Sequence, residues 1–402
     1  MSERFLSYGR QSITDDDITA VIETLKSDFL TQGPAVPIFE EDFGRVTGAR
    51  HAVACSNGTA ALHIAALAAG IKCGDRALVT PLTFVASANA IRYAGGEVSF
   101  ADVDGETLTM SPSASQQQLE KAVAEGRPFR AIVTVDMAGH PCDMEAFARL
   151  KKKYGLIWIH DACHSLGGSW TDAVGRVWKV GEYPAPDVVA WSFHPVKHIT
   201  TGEGGMVTTF SDQIADRLRL LRTHGIQKDP ASFVFRNEAF DADGQPNPWY
   251  YEMQSLGFNY RLTDIQAALG SSQLKRLDAG IQRRNRIVDQ YRSRLSGMPS
   301  IKLPQVRAGV GHAYHLAIIR LDFAGLGTNR ARVMRSLRER NIGTQVHYIP
   351  VPKMPYYSGS ALMSELPQTT AYYREALSLP CYPDLRDEDI DRVVNAVREV
   401  LA

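Results

Sequence analysis

The sequence lacks the patterns that mark several common classes of protein. No G-x-G-x-x-G fingerprint lies at a strand–helix junction, and no G-x-x-x-x-G-K-[ST] loop occurs. These absences argue against a Rossmann dinucleotide site and against nucleotide hydrolysis at a P-loop. The longest soft apolar run, residues 58–71, is too short and too rich in small side chains to span a bilayer. Residues 1–17 are polar and contain no signal-peptide core.

Cysteine is scarce and net charge is absent. The five cysteines are far apart, and none forms a C-x-x-C pair. We therefore expect neither a disulfide framework nor a thiolate zinc site, and a reducing compartment fits best. Lys plus Arg and Asp plus Glu both number 44, so the net charge is zero and predicts no general attraction to nucleic acid or anionic membranes. We expect a soluble, cytoplasmic protein.

The first half of the chain alternates between strands and helices. Short β-rich runs are separated by helical segments such as Pro112–Ala124 and 143–154. This alternation predicts βαβ units, and hence an α/β fold with a mostly parallel sheet covered on both faces. The predicted strands lie within residues 76–81, 96–103, 130–136, 155–161, 187–193 and 205–210.

After Arg261 the pattern changes to a smaller α+β unit. We predict helices over residues 263–277, 282–295, 328–340 and 387–401, and strands over 315–322 and around Val346. We therefore divide the chain into a large domain, 1–262, and a small C-terminal domain, 263–402. The arginine run Arg283, Arg284 and Arg286 lies on a predicted helix, where we expect it to face solvent.

Residues 56–62, "SNGTAAL", follow the apolar run 51–55 and open a predicted helix. The backbone N–H groups of Gly58 and Thr59 would be free at this helix start. Together with the helix dipole they would form a cradle for an anion such as phosphate. An ordinary N-cap, with glycine for a tight turn, is the alternative interpretation.

Residues 156–165, "LIWIHDACHS", form an apolar strand that ends in Asp161. Ligands of α/β proteins bind at the carboxyl ends of such strands. Three interpretations are open: a metal site formed by His160, Asp161 and His164; a carboxylate that pairs with a protonated ring nitrogen; or a cap for the following turn. Alternation weakens the metal site, because His160 and Asp161 point to opposite faces of a strand.

Lys197 follows the next predicted strand at the same edge of the sheet. Apolar and neutral surroundings disfavour an ammonium group, and an uncharged amine attacks aldehydes. A surface lysine on a flexible loop is the alternative. The residues that follow are small, so that a ligand can approach the backbone closely: Thr200, Thr201, Gly202, Gly204 and Gly205.

An anion cradle, a carboxylate for a ring nitrogen and an amine for an aldehyde match the three reactive groups of pyridoxal phosphate. Their order along the chain, Gly58, then Asp161, then Lys197, is that of the fold-type I pyridoxal-phosphate enzymes. We therefore predict a fold-type I transferase, with a large cofactor-binding domain and a smaller C-terminal domain.

The same segments resemble a known family. The resemblance is to the DegT/StrS family of sugar-nucleotide aminotransferases, and it covers nearly the whole chain. Residues 8–13, "YGRQSI", and 27–34, "SDFLTQGP", are most similar to the branch that aminates a UDP-linked 4-keto-6-deoxy-N-acetylhexosamine on the way to pseudaminic acid. The other matching segments are 56–75, 80–91, 160–170, 192–207 and 256–274.

This resemblance implies pyridoxal phosphate as the cofactor, with pyridoxamine phosphate as its aminated form. Lys197 would hold the cofactor covalently and Asp161 would keep its ring nitrogen protonated; these two are the predicted catalytic residues. Phe84 would stack on the ring. Some relatives carry histidine in place of the lysine and catalyse dehydration, so Lys197 favours transamination.

Other predicted cofactor contacts are also implied by the resemblance. Gly58, Thr59 and Ser192 would bind the phosphate group, and His164 would line the cofactor. Asn259 would reach the phosphate bound by the neighbouring subunit. The resemblance therefore implies a homodimer in which each active site is completed across the interface.

The resemblance also implies glutamate as the amino donor and a set of residues around the nucleotide sugar. That set is Tyr8, Leu30, Thr31, Gln32, Gly33, Ser56, His347, Tyr348, Ile349 and Pro350. A dTDP or GDP carrier is the main alternative to UDP. A pyridoxal-phosphate-binding regulator without turnover is disfavoured, because the catalytic set is intact and no DNA-binding segment is fused to the chain. A metal-dependent hydrolase is the remaining alternative.

Overall fold

The structure, a computed structural model, describes residues 4–359 and 361–402. Within these residues the chain forms a seven-stranded central sheet, three smaller sheets and the helices packed around them. The strands are β1 (His51–Cys55), β2 (Arg76–Val79), β3 (Glu97–Phe100), β4 (Ala131–Val135), β5 (Ile157–Asp161), β6 (Ser169–Thr171), β7 (Val177–Lys179), β8 (Val188–Ser192), β9 (Gly205–Thr209), β10 (Ile226–Gln227), β11 (Glu252–Met253), β12 (Ile301–Lys302), β13 (Val310–Gly311), β14 (Ala317–Leu321) and β15 (Ala376–Leu379).

The central sheet has the order β1-β9-β8-β5-β4-β2-β3. β9 runs antiparallel to both of its neighbours, and all other pairs are parallel. Every residue of β4 and β5 is buried, because helices cover both faces of a parallel sheet. The mostly parallel α/β fold is therefore confirmed, and each of the six predicted strands between residues 76 and 210 is present.

The helices surround this sheet and a smaller one, β12-β14-β15. They are α1 (Asp15–Leu25), α2 (Ala35–Thr47), α3 (Gly58–Ala68), α4 (Ala86–Tyr93), α5 (Pro112–Ala124), α6 (Met144–Tyr154), α7 (Asp212–Arg222), α8 (Arg236–Ala239), α9 (Asp264–Leu274), α10 (Leu277–Leu295), α11 (Arg330–Glu339), α12 (Pro367–Glu375) and α13 (Asp387–Leu401). No helix in the described part of the chain is long and apolar enough to cross a membrane.

Two predicted elements differ from those observed. α10 begins at Leu277 instead of Gln282, because burial of Leu277 offsets the roughly 1 kcal/mol that Gly280 costs inside a helix. The predicted strand around Val346 is wrong. The chain there forms a single isolated bridge between Gln345 and Ser378 and then leaves the edge of β15.

The prediction that the arginine run faces solvent is wrong for Arg284. Its side chain is only 1% exposed. The guanidinium Nη1 donates to the carbonyl oxygens of His315 (3.2 Å) and Cys381 (2.8 Å). Helical periodicity explains the error, since Arg284 lies on the same face of α10 as the buried Ile287, Val288 and Tyr291.

The N-terminal segment is joined to the C-terminal part of the chain. Leu6 is fully buried in the core formed largely by α10, α13 and β14. Its N–H donates to the carbonyl of Asn341 (2.8 Å), and its carbonyl accepts from Gly343 (2.7 Å). The carbonyl of Tyr8 accepts from Cys381 at 2.9 Å. The division into domains 1–262 and 263–402 stays a prediction.

Candidate active site

Asp161 is the last residue of β5 and is 5% exposed. The Ser87 hydroxyl on α4 donates to its Oδ2 at 2.6 Å, and the Cys163 N–H donates to its Oδ1 at 3.1 Å. Asp161 therefore does cap the turn that follows β5. These two hydrogen bonds also fix the orientation of the carboxylate. A carboxylate that pairs with a ring nitrogen needs such a fixed orientation.

His160 and Asp161 lie on opposite faces of the sheet, as strand alternation predicts. His160 Nε2 lies 2.9 Å from Oδ1 of Asp136. His164, by contrast, contacts Tyr348, whose hydroxyl is 3.0 Å from His164 Nε2. The structure therefore does not bring His160, Asp161 and His164 together as a metal site.

Lys197 lies in the turn after β8, where its N–H donates to the His194 carbonyl at 2.8 Å. Burial lowers the pKa of the Lys197 amine below its usual value. Cys163 and Asp161 oppose this shift, and the buried Arg284 adds to it. The amine is thus poised to lose its proton, which is what a nucleophilic or basic lysine needs.

The predicted anion cradle lies at the start of α3. Asn57 caps this helix, with its Oδ1 accepting from the Ala60 N–H at 2.8 Å. The N–H groups of Gly58 and Thr59 have no hydrogen-bond acceptor among the residues that the structure describes. A Cβ added to Gly58 would lie 2.7 Å from the Cβ of Ser192. The cap is therefore present and leaves the two N–H groups free, with Ser192 beside them; the phosphate cradle stays a prediction.

Replacing Gly58 with alanine should weaken cofactor binding by about 10- to 100-fold, because the new methyl group must displace Ser192 from the cradle. Equilibrium titration of the cofactor-free protein with pyridoxal phosphate measures this change. Gly297→Ala is the matched control, since a Cβ there meets no atom within 4 Å. Equal affinities of the two variants would contradict the predicted phosphate cradle.

Three histidines, His164, His315 and His347, lie in buried surroundings near this region. His347 Nδ1 is 2.9 Å from the Ser378 hydroxyl, and the His164 ring lies 4.3 Å from the His315 ring. Burial lowers the pKa of His164 well below its usual value, and burial lowers that of His347 to about 3. Both rings are therefore neutral at physiological pH, and Nδ1 of His164 is buried without a partner in the described part of the chain.

Acid should destabilise the fold through His347. The pKa of this side chain is about 3 in the folded protein against 6.5 as the ordinary value, so unfolding takes up a proton between these two values. Its contribution to stability is complete above pH 6.5 and is lost as the pH falls, by at most about 1.4 kcal/mol per pH unit.

Urea unfolding at about pH 7 and about pH 5 measures this loss. His347→Asn should flatten the dependence of unfolding free energy on pH, whereas the same substitution at the exposed His224 should leave it unchanged. The prediction is wrong if both variants retain the wild-type slope. Four other histidines act in the same direction, because burial lowers their pKa values too: His164, His198, His312 and His315. The buried His160 acts in the opposite direction, because Asp136 raises its pKa.

Phe84 and Tyr8 flank this region. Phe84 is 57% exposed, and its ring centroid lies 6.3 Å from that of Tyr348. The Tyr8 ring lies 5.0 Å from that of His347. The open face of Phe84 is compatible with stacking on a ring, and Ile349 next to Tyr348 is 43% exposed.

Local contacts hold the remaining predicted site residues in the single chain. The 30–33 turn (Leu30, Thr31, Gln32 and Gly33) is held by Asp264, whose Oδ2 accepts from the Gly33 N–H at 2.8 Å. None of its described contacts reaches Lys197 or Asp161. Asn259 is exposed and forms an isolated bridge with Thr223. The Ser56 N–H donates to the Tyr260 carbonyl (2.8 Å), and the Pro350 carbonyl accepts from Lys353 (2.9 Å). The substrate roles of Leu30, Thr31, Gln32, Gly33, Ser56 and Pro350 and the cofactor role of Asn259 stay predictions.

Sequence reasoning missed three residues of the site. Ser87 donates to Asp161, His315 packs against His164, and Arg284 lies buried near Lys197. Only Ser87 could have been found from the sequence. It lies one helical turn after Thr83, inside segment 80–91, which resembles the DegT/StrS family. The other two come from distant parts of the chain and carry no local pattern.

Comparison with known proteins places this site in a family. The model described as the DegT/DnrJ/EryC1/StrS aminotransferase family matches residues 11–398. The chain belongs to this family. SpsC of Bacillus subtilis (strain 168), a spore coat polysaccharide biosynthesis protein, is 38% identical to this member of the DegT family over 400 residues, which cover 99% of this chain and 97% of SpsC.

Two solved structures extend the comparison of this DegT-family chain. PseC of Helicobacter pylori, an aminotransferase involved in the biosynthesis of pseudoaminic acid, aligns with a TM-score of 0.86 at 27% identity and covers 99% of both chains. Spr1654 of Streptococcus pneumoniae in its PLP-form aligns with a TM-score of 0.84 at 25% identity, over 99% of this chain and 98% of that one. Its PMP-form aligns with a TM-score of 0.85.

The chain is therefore a sugar aminotransferase of fold-type I that uses pyridoxal phosphate. The residues present fit that cofactor. The free N–H groups at the start of α3 suit a phosphate, and only glycine at position 58 leaves room for it beside Ser192. Asp161 is a fixed carboxylate, and the unpartnered Nδ1 of His164 is available to a polar group of a ligand.

Proposed function

We propose that this DegT-family enzyme transfers the amino group of glutamate to C4 of a nucleotide-linked 4-keto-6-deoxy sugar. The proposed substrate is of the UDP-4-keto-6-deoxy-N-acetyl-L-altrosamine type, which leads to pseudaminic acid. The position of Lys197 and Asp161 at one edge of the sheet carries the proposal of transamination. The likeness to PseC, an aminotransferase of pseudoaminic acid biosynthesis, supports the choice of sugar.

Pyridoxal phosphate, when bound, supplies an aldehyde that accepts the amino group and a cationic ring that takes up electron density. The chain supplies the proton transfers. Asp161 holds a proton on the ring nitrogen, because an adjacent carboxylate favours the charged form. Lys197 Nζ takes the proton from Cα of the donor and, in the second half-reaction, delivers a proton to C4 of the sugar. Its lowered pKa suits a group that acts as both base and acid.

The neutral histidines suit this work. An uncharged His164, oriented by the Tyr348 hydroxyl at 3.0 Å, can bind a polar group of the cofactor without adding positive charge beside Lys197. His347 is held by Ser378 and, with Tyr8, forms an aromatic wall. We propose that this wall and the 30–33 turn bind the sugar nucleotide.

We also propose a homodimer. Phe84 is exposed in the single chain, and so is Asn259, whose proposed role is to reach the cofactor phosphate of the other subunit. Exposed apolar patches of this extent usually mark an interface. They comprise the face of the N-terminal helices, with Ile18, Ile22, Leu25, Phe29 and Ile38, and the segment between α7 and α9, with Val234, Phe235, Trp249, Tyr251, Met253 and Leu256.

A panel of keto-sugar nucleotides tests the substrate. The cofactor-loaded enzyme is incubated with glutamate and matched UDP-, dTDP- and GDP-linked 4-keto-6-deoxy sugars, and the products are identified by NMR. We expect amination at C4 of the UDP-linked N-acetyl sugar with release of 2-oxoglutarate. Faster amination of a dTDP- or GDP-linked sugar would show that UDP is not the nucleotide carrier. If glutamate bleaches the cofactor band but no sugar is aminated, glutamate remains supported as the amino donor. All of the tested sugars would then be excluded as substrates.

A further inference from the structure

The segment 160–165 carries functional groups on one side and a buried charged cluster on the other. Asp161 and His164 face the proposed cofactor site. His160 and Ser165 are both 0% exposed and lie on the far side of the segment. Both contact a single carboxylate, that of Asp136, at the end of the neighbouring strand β4.

Asp136 is fully buried and uses both of its oxygens. The Ser165 hydroxyl donates to Oδ2 at 2.6 Å, and the Cys142 N–H donates to Oδ1 at 2.8 Å. Oδ1 also lies 2.9 Å from Nε2 of His160. Burial opposes ionisation, but these partners hold the pKa of Asp136 below its usual value and raise that of His160. The two side chains therefore form a buried ion pair.

The backbone around Asp136 also holds this segment. The Asp136 N–H donates to the Asp161 carbonyl at 3.2 Å. In the turn that follows, a Cβ at Gly139 would lie 2.8 Å from the carbonyl oxygen of His164. The turn after β4 thus lies against the backbone of both residues that face the cofactor site, Asp161 and His164. The carboxylate of Asp136 contacts the side chains that flank them, His160 and Ser165.

We propose that Asp136 is a positioning residue of the aminotransferase. Through its contacts with His160 and Ser165 it fixes the segment 160–165, so that Asp161 and His164 stay in place on the opposite side. A displacement of about 1 Å in such groups can cost roughly 100-fold in rate. This inference rests on the proposed role of Asp161 and names a residue that neither substrate nor cofactor touches.

The same cluster has the composition of a metal site. Potential ligand atoms of Asp136, Cys142 and His160 lie within 4.8 Å of one another. His160 Nε2 lies 2.9 Å from Asp136 Oδ1, which is an ion-pair contact, although this ring nitrogen makes no hydrogen bond of good geometry to a described residue. The Ser165 hydroxyl and the Cys142 N–H donate directly to the carboxylate and hold it without an ion. Stoichiometric zinc or another transition metal in the purified holoenzyme would overturn the ion pair and, with it, the proposal.

The main test is Asp136→Asn in the full-length holoenzyme. The isosteric amide keeps the shape but loses the charge that holds His160 and Ser165. We expect kcat to fall by roughly 100-fold, with little change in KM for glutamate. We also expect weaker binding of pyridoxal phosphate and a shifted pH midpoint of the visible cofactor band, because Asp161 would no longer be held against the ring nitrogen.

A matched control separates positioning from general destabilisation. Asp187 forms an ion pair with Lys151 (2.8 Å) and accepts from the Trp158 N–H of β5 (2.8 Å), but at the opposite end of that strand. Asp187→Asn should leave the pH midpoint of the band and kcat near wild-type values. If Asp136→Asn and Asp187→Asn behave alike in these readouts, Asp136 has no positioning role.

Ser165→Ala keeps the test decisive if Asp136→Asn does not fold. This variant removes one hydrogen bond and no charge, and we expect a smaller fall in kcat, about 5- to 10-fold, with a shift of the band midpoint in the same direction. An unchanged midpoint in Ser165→Ala would overturn the proposal. Cofactor binding and the band require no sugar substrate, so a wrong proposed sugar would leave these measurements unaffected.

Discussion

Lys197→Ala is expected to lower transamination by about 10⁴-fold or more. By our proposal, the variant loses both the amine that would hold the cofactor covalently and the base that would move the proton. Lys197 is only partly exposed, and burial lowers the pKa of its amine. The variant should still bind pyridoxal phosphate through the cradle at the start of α3, but without the visible band of the lysine-bound cofactor.

Borohydride reduction and peptide mapping complete this test. Reduction should attach the cofactor to residue 197 of the wild-type protein and to no residue of Lys197→Ala. Lys72→Ala, which changes an exposed lysine, should retain the band and the activity. Wild-type turnover by Lys197→Ala, or attachment of the cofactor elsewhere, would remove the central assignment.

Asp161→Asn should reduce kcat by roughly 1,000-fold. An adjacent carboxylate raises the pKa of a cationic partner by up to about 3 units, which corresponds to a factor of about 10³. The amide keeps the shape of the side chain, and its single oxygen can still accept from the Cys163 N–H while its NH2 group donates to the Ser87 hydroxyl oxygen. The loss should therefore appear in the proton-transfer step and in the pH dependence of the cofactor band, with cofactor still bound.

Ser87→Ala provides a graded comparison for Asp161→Asn. It removes one hydrogen bond to the carboxylate while leaving the charge, so we expect a loss of only about 10-fold. Single-turnover measurements with glutamate isolate the first half-reaction for both variants. A larger effect of Ser87→Ala than of Asp161→Asn would mean that the hydroxyl, and not the charge, is the important group.

The sheet and the centre of the site could be predicted because their determinants are local. β4, β5 and β8 are short apolar runs between helical segments, and in a parallel sheet the residues that follow such strands meet at one edge. Asp161 and Lys197 are therefore placed by their position after β5 and β8. Gly58 is placed in the same way, as the residue that opens the helix after β1.

The rest depends on contacts between distant parts of the chain. The partner of the 30–33 turn is Asp264, 231 residues away from Gly33, and no local pattern pairs them. Arg284 is buried because the carbonyls of His315 and Cys381 surround it. The strand predicted near Val346 failed because β-branched composition indicates strand propensity, whereas pairing requires an available neighbour.

The attachment of Leu6 and Tyr8 to residues 341–343 and 381 has a consequence for biosynthesis. Leu6 and Tyr8 cannot reach their places until residues 341–343 and 381 have been made, which takes roughly 20 s or longer after their own synthesis at about 5–20 residues per second. During that time Leu6 and its neighbours have no native partner and are open to chaperones and proteases. Termination just before residue 381 should therefore leave Tyr8 undocked, more than 370 residues away from the break.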